Sequence, residues 1–276
     1  MNNSQKVFRF REGSLPLGSR TYIMGIINIT PDSFSDGGEN LIPENALKTA
    51  LDMQKAGADI LDIGGQSTRP GHTPVAPDDE WQRLKAPLEL IIKNVNIPVS
   101  VDTFYPEVAK KALEMGAHII NDVSGKVNPE MTAIVKKYGA GIVLMHSGEE
   151  KTNNIISTVN AKLTSMLAEA VQLGVPPENI CLDPGIGFGK TNEQSLELIN
   201  NTADVKVGGT AYLLAASRKR VIAYLLGDEG IPPNKRDEGT VAAHLIGVKG
   251  GADIIRVHNV PLAVKSLKTL SNERNK

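Results

Sequence analysis

The sequence predicts a single (β/α)8 barrel with a short N-terminal lead-in, and three observations carry that expectation. A glycine followed by an aliphatic run recurs four times: AGADILD (56–62), MGAHIIND (115–122), YGAGIVLMH (138–146) and GGADIIRVH (250–258). Four more runs of similar length lack that glycine: TYIMGIIN (21–28), PVSVD (98–102), NICLD (179–183) and AYLLAAS (211–217). Stretches with helical apolar spacing separate these eight runs, with no shift in composition that would mark a linker. Glycine suits the left-handed position that ends a helix. Unbroken apolar runs suit strands covered on both faces, as parallel sheets require. Eight alternations in 276 residues match a barrel of roughly 250 residues, and a doubly wound open sheet is the alternative.

Taken in order, residues 1–20 are the lead-in, where VFRF and SLPLG flank a charged turn and suggest a hairpin; residues 21–276 are the barrel. Helices are expected over PENALKTALDMQKA, DDEWQRLKAPLELIIKN, PEVAKKALEM, PEMTAIVKKY, 157–173, EQSLELINN, RKRVIAYLLG and GTVAAHLIGVK, with VPLAVKSLKTL closing the chain. Several open on Pro, Asp or Glu, which favour a first turn with free N–H groups and a positive dipole end.

Composition excludes some functions. A net charge of −1 gives no global field for nucleic acid or an anionic membrane, so any anion site is local. No apolar run reaches the ~18 residues of a membrane span. The N-terminus, MNNSQKVFRFREG, lacks the apolar core of a signal peptide. A single cysteine, Cys181, precludes an internal disulfide and suits a reducing compartment. A soluble, cytoplasmic protein is expected.

Barrel enzymes work at the C-terminal ends of their strands. Here those ends read Asn28, Asp62, Asp102, Asn121, His146, Asp183, Ser217 and the Arg256–His258 pair. Any one of these could cap the next helix; eight at one rim point to a shared pocket. Asp102, Asn121 and Asp183 offer acceptors to a flat heterocycle with N–H edges. Arg69, Lys219, Arg256 and His258, with glycine-rich loops leading into helices, suit phosphate. The residues alone therefore suggest a heterocycle carrying a phosphate or diphosphate.

Other motifs are weaker. PGIGFGKT (184–191) fails the P-loop spacing because Pro184 stands where glycine is needed, and its glycines are too close for a dinucleotide fingerprint. The five histidines lack zinc-ligand spacing, and His118 and His244 read as structural. Lys219 could form a Schiff base, though an anion contact fits a phosphate site better. Cys181 reads as inert packing and Trp81 as core or interface.

Together, MGIINITPDSFSDGG (24–38), GGQSTRPG (64–71), VSVDTF (99–104), HIINDVSG (118–125), LDPGIGFGK (182–190), SRKR (217–220) and RVHNV (256–260) resemble the dihydropteroate synthase family of pterin-binding barrels. The resemblance runs from about residue 22 onward. It implies a transferase of folate biosynthesis that joins 6-hydroxymethyl-7,8-dihydropterin diphosphate to 4-aminobenzoate. It also implies Mg2+, a second-substrate site that sulfonamides target as mimics, and a homodimer packed through outer helices.

By the same resemblance, Asp102, Asn121, Val123, Met145, Asp183, Lys219 and Arg256 would contact the pterin. Asn28, Arg69, Arg256 and His258 would hold the diphosphate, with Asn28 on the metal. Phe34, Thr68, Pro70, Phe188 and Lys219 would receive 4-aminobenzoate. Asn28, Arg69, Asp102, Lys219, Arg256 and His258 would carry the reaction, in which diphosphate departs to leave a pterin-stabilised cation. Asp32 or Asp36 would face that carbon, and the loops at 24–40 and 64–74 would act as lids. A pterin-binding methyltransferase and an inactive pterin-binding paralogue are the alternatives. An unrelated phosphate-binding barrel such as an aldolase should instead show an isolated buried lysine on an earlier strand. The chain departs from the family's usual run at Gln66, at MHSGEEKTNN after the fifth strand, at LAAS before SRK, and at Asn259.

Overall fold

The computed structural model describes residues 6–29, 42–66 and 73–274. The expected residues Asp32, Phe34, Asp36, Thr68, Arg69 and Pro70 lie outside the described residues. The chain opens with an antiparallel hairpin, β1 (Val7–Phe10) and β2 (Gly13–Pro16), followed by β3 (Tyr22–Asn28). Then come α1 (Ile42–Ala56), β4 (Ile60–Gly64), α2 (Pro77–Asn94), β5 (Val99–Asp102), α3 (Pro106–Met115), β6 (Ile119–Asp122), α4 (Pro129–Tyr138) and β7 (Gly141–Met145). The second half holds α5 (Ile155–Gln172), β8 (Ile180–Asp183), α6 (Asn192–Asn200), α7 (Thr202–Val205), β9 (Ala211–Leu214), α8 (Arg220–Leu225), α9 (Asp237–Lys249), β10 (Ile254–Val257) and α10 (Val260–Arg274). Strands β3 to β10 close into one parallel barrel in which β10 pairs with both β9 and β3, as expected.

Side chains alternate across each strand, which splits the core into two layers. Met24, Ile60, Ile119, Val143, Cys181, Leu213 and Ile254 point into the barrel and form one buried cluster. Leu61, Val101, Ile120, Ile142, Leu182 and Leu214 point outward onto helix residues such as Leu88, Leu113, Val135, Leu163 and Leu198. Each fully buried aliphatic side chain contributes about 1.5–3 kcal/mol over leaving it in water. The hairpin seals the N-terminal end of the barrel. Phe8 is fully buried and Phe10 nearly so, both within the inner cluster. Gly141 is needed there, because a Cβ at that position would come within 2.9 Å of the Phe8 ring.

Helix endings follow the expected glycine rule at Gly116 (φ 116°) and Gly139 (φ 61°). His118 and His244 are structural, as read. His118 Nδ1 accepts the Val99 N–H, and buried His244 Nε2 accepts the Ala216 N–H. Trp81 packs partly buried against the outer core.

The structure differs from the sequence reading in four places. The strand expected over 211–217 stops at Leu214, because Ala216 N–H turns to His244 and Ser217 turns to His258. Helix α7 and two short 3-10 turns, Pro177–Asn179 and Pro233–Lys235, were not expected. At three or four residues, such turns are too short for a hydrophobic period to register. Among the described residues no helix is long and apolar enough to cross a membrane.

Candidate active site

Barrel register decides which polar residues meet. Gly64 lies opposite Asp102 and Asp102 opposite Asn121, while Met145 lies opposite Asp183. These strand ends open on a cavity of about 1230 Å³ at the C-terminal rim. Asn28, Asp102, Asn121, Val123, Met145, Asp183, Phe188, Lys219, Arg256 and His258 all line it. Every described residue of the expected site is therefore in one place.

One wall is a buried charge network. Arg256 Nε donates to Asp62 Oδ2 (2.6 Å) and its Nη2 to Asp102 Oδ2 (2.8 Å). Asn121 Nδ2 donates to the same Asp62 oxygen (3.0 Å), and Asp62 is fully buried. These bonds fix the side-chain orientations. They leave Asp102 Oδ1 and Asn121 Oδ1 buried with no hydrogen-bond partner among the described residues. A buried polar atom left unpaired costs about 1–3 kcal/mol, so two such oxygens at one cavity are built to accept from a ligand. Burial raises the Asp102 carboxyl above the ordinary range, opposed first by the Arg256 guanidinium. Asp183 is also raised by burial, opposed first by Lys219; its Oδ1 accepts the Gly185 N–H at 2.7 Å.

The opposite wall is cationic. Lys219 donates to the Ile186 carbonyl (2.6 Å), and its Nζ lies 4.5 Å from the Phe188 ring centroid. Burial lowers its pKa to about 8, with Asp183 pulling the other way. Lys219 follows Arg218, which sits at φ 59° in the left-handed region. Such a conformation costs a non-glycine residue about 1–3 kcal/mol. Arg218 is held there by a two-bond contact with Asp237 (2.6 and 2.8 Å). The backbone N–H of His258 donates to Ser217 Oγ (3.2 Å), which lies 2.9 Å from His258 Nδ1.

Several departures now have reasons. Asn259 Nδ2 donates to Asp237 Oδ2 (3.0 Å); an aspartate there would set carboxylate against carboxylate. Gln66 Oε1 accepts the Val75 N–H (3.4 Å), and Gln66 lies beside fully buried Glu80. Burial lifts Glu80 to about 7, with Thr103 and then Gln66 opposing, so a neutral residue at 66 spares it a like charge. Sequence reasoning listed Asp62 as a strand end but gave it no task. It also gave none to Asp237, whose partner Arg218 is 19 residues away.

A family model of pterin binding enzymes matches residues 24–258. Dihydropteroate synthase of Clostridium beijerinckii is 44% identical over 247 residues, covering 88% of this chain and 91% of that protein. The Bacillus subtilis dihydropteroate synthase is 40% identical over 273 residues, covering 98% and 95%. The chain belongs to the dihydropteroate synthase family. Among solved dihydropteroate synthases, that of Xanthomonas albilineans in complex with 7,8-dihydropteroate superposes with a TM-score of 0.87. It is 34% identical, over 95% of this chain and 96% of that one. The (β/α)8 barrel is thus shared by this dihydropteroate synthase family member and its solved relatives.

Proposed function

We infer that this rim cavity joins 6-hydroxymethyl-7,8-dihydropterin diphosphate to 4-aminobenzoate, releasing 7,8-dihydropteroate and diphosphate. The observation that carries the reading is the pairing within one cavity of unpartnered buried oxygens, Asp102 Oδ1 and Asn121 Oδ1, with the cations Lys219 and Arg256. The family relatives support it. The acceptors, with Asp183, hold the pterin N–H edges. The C–O bond of the pterin CH2 breaks with its electron pair leaving on the diphosphate. The aniline nitrogen then forms the C–N bond and loses a proton. Little acid–base machinery is needed; the protein supplies fixed charge in a water-poor site.

Arg256 uses Nε and Nη2 on Asp62 and Asp102, leaving Nη1 for a phosphate oxygen. His258 and, from the sequence, Arg69 complete that grip. Phe188 and Lys219 receive the second substrate, with Phe34, Thr68 and Pro70 assigned there by resemblance alone. Sulfonamides would compete for that position. Among the described residues no three His, Cys, Asp or Glu groups converge as a metal cage. That fits Mg2+, which keeps waters and shares substrate phosphates with one or two protein oxygens. Asn28, lining the cavity, would provide one such oxygen, and the bound ion would neutralise charge on the leaving group.

The purified protein should release diphosphate in step with dihydropteroate when both substrates and magnesium are supplied. No release above background would end this reading.

We also place the enzyme in the cytosol, where lone buried Cys181 suits a reducing environment. Its assembly is read as a homodimer through α8 and α9. On or beside these helices Tyr224 (39%), Leu225 (44%), Leu226 (44%) and Ile246 (42%) are exposed large apolar side chains. Sedimentation should give twice the chain mass, and Leu225→Glu should return the monomer; a monomeric wild type would refute it.

A further inference from the structure

Two lysines flank the cavity, Lys190 buried and Lys219 partly buried, and they are used differently. Lys219 has one described hydrogen bond, to Ile186. Lys190, 6% exposed, directs three ammonium bonds inward: to His146 Nδ1 (2.8 Å), the Phe188 carbonyl (3.1 Å) and the His146 carbonyl (3.4 Å). An ammonium has three donors and no acceptor, so Lys190 keeps nothing for a substrate. Burial lowers it to about 8, against Asp183 and Glu150, so it is mainly charged near neutrality.

That contact makes Nδ1 of His146 the acceptor, which puts the hydrogen of the neutral ring on Nε2. Nε2 lies 3.1 Å from Glu150 Oε1, and a carboxylate accepts from it. Glu150 belongs to the segment MHSGEEKTNN, where the chain departs from the family's usual run. Its carbonyl is held by Gln194 Nε2 (2.9 Å), itself part of the capping box with Thr191 that starts α6. The loops after β7 and β8 press together here. A Cβ on Gly185 would collide with the His146 carbonyl, and one on Gly189 with the backbone of Gly148.

We propose that Glu150, His146 and Lys190 form a positioning relay that fixes the Phe188 face of the cavity for 4-aminobenzoate. The relay rests on the function read above. The Glu150 carboxylate selects the His146 tautomer, the tautomer leaves Nδ1 open to Lys190, and Lys190 holds the Phe188 carbonyl. The Phe188 ring lies against Lys219. Without the carboxylate, only the Lys190 ammonium holds the hydrogen on Nε2, so the His146 ring is fixed less firmly and Lys190 holds Phe188 less tightly. Asp102 and Asn121, on β5 and β6, make no bond within this chain of contacts, and Asp183, which faces the Lys190 charge, keeps its bond from the Gly185 N–H, so pterin binding changes less than 4-aminobenzoate binding.

The test is steady-state kinetics on the full-length wild type, Lys190→Met, Glu150→Ala and Glu150→Gln, with nitrogen NMR of labelled histidine. The KM for 4-aminobenzoate should rise about tenfold in Lys190→Met, the loss of one charge-assisted bond, and by a smaller factor in Glu150→Ala. The KM for dihydropterin diphosphate should stay within about twofold in Glu150→Ala and rise by less than the 4-aminobenzoate KM in Lys190→Met. Glu150→Gln should recover most of the loss, because its side-chain oxygen still accepts the Nε2 hydrogen. The His146 signal, assigned by its absence in His146→Gln, should carry its hydrogen on Nε2 in the wild type and show a weakened preference in Glu150→Ala. An unchanged 4-aminobenzoate KM in Lys190→Met, parallel rises for both substrates, no recovery with glutamine, or a hydrogen on Nδ1 in the wild type would each overturn the relay. If the wild type released no diphosphate, the functional reading would fall. The relay would then stand or fall on the histidine signal.

Discussion

Lys219→Met lowers kcat/KM for 4-aminobenzoate by two to three orders of magnitude. The ammonium lies between Asp183, the Phe188 ring and the Ile186 carbonyl, at the junction of the two proposed substrate positions. A charge-assisted contact contributes about 1.5–3 kcal/mol. Losing one to each substrate, each near the lower end of that range, amounts to about 3–4 kcal/mol, or two to three decades of rate. The same group sets a pH limb. Burial brings its pKa from 10.5 down to about 8. The charged form therefore dominates below 8 and is lost as pH climbs through it, far earlier than for a solvated lysine. Wild-type turnover should fall on that side. Lys190 lies in the same range, so Lys219→Arg separates the two: arginine stays charged, and the limb should move upward. A limb that stays near 8 in that variant would assign it to Lys190 and refute the role given to Lys219.

Arg256→Met should be the most damaging change in the cavity wall for folding as well as catalysis. Asp62 has no exposed surface, and Asp102 is 5% exposed; both rely on Arg256 at 2.6 and 2.8 Å. Removing one partner of a buried ion pair leaves charge without compensation, at a cost of about 3–5 kcal/mol. Denaturant unfolding should show that loss, and adding Asp62→Asn should restore part of it, since the amide needs no counter-ion. Diphosphate release should remain low in both variants, because Nη1 is gone. Unchanged denaturant midpoints would mean the network does not hold the wall together.

The alternation of strand and helix was legible because it is local. A continuous apolar run such as GIVLM, preceded by a glycine-ended helix, follows from backbone preferences within ten residues. The rim residues Asp102, Asn121, Asp183, Lys219 and Arg256 were legible for a related reason: in a parallel barrel, the end of a strand is a position in space. What the sequence could not reveal is pairing across distance. Asp62 and Arg256 are 194 residues apart, and His146 and Lys190 are 44 apart. Their meeting depends on closure and on two loops pressing together at Gly185 and Gly189. Arg218 illustrates a second limit. Its left-handed backbone contradicts the preference of arginine, and distant partners hold it there: Asp237 on the guanidinium, Thr240 on the N–H and Arg236 on the carbonyl. The assignments at Phe34, Thr68, Arg69 and Pro70 remain readings of sequence alone.

The aromatic hairpin at the barrel floor has a consequence for the order of synthesis. Phe8 and Phe10 leave the ribosome before several partners that bury them, Gly141, Val143, Cys181 and Ile254 among them. Until those residues emerge, the two phenyl rings lack part of their shelter. Chains fold from the N-terminus as they emerge, but this hairpin settles only after residues far behind it. It acts as a seal set only when the cylinder exists, and a stalled or truncated chain would present that seal to chaperones or to other copies of itself.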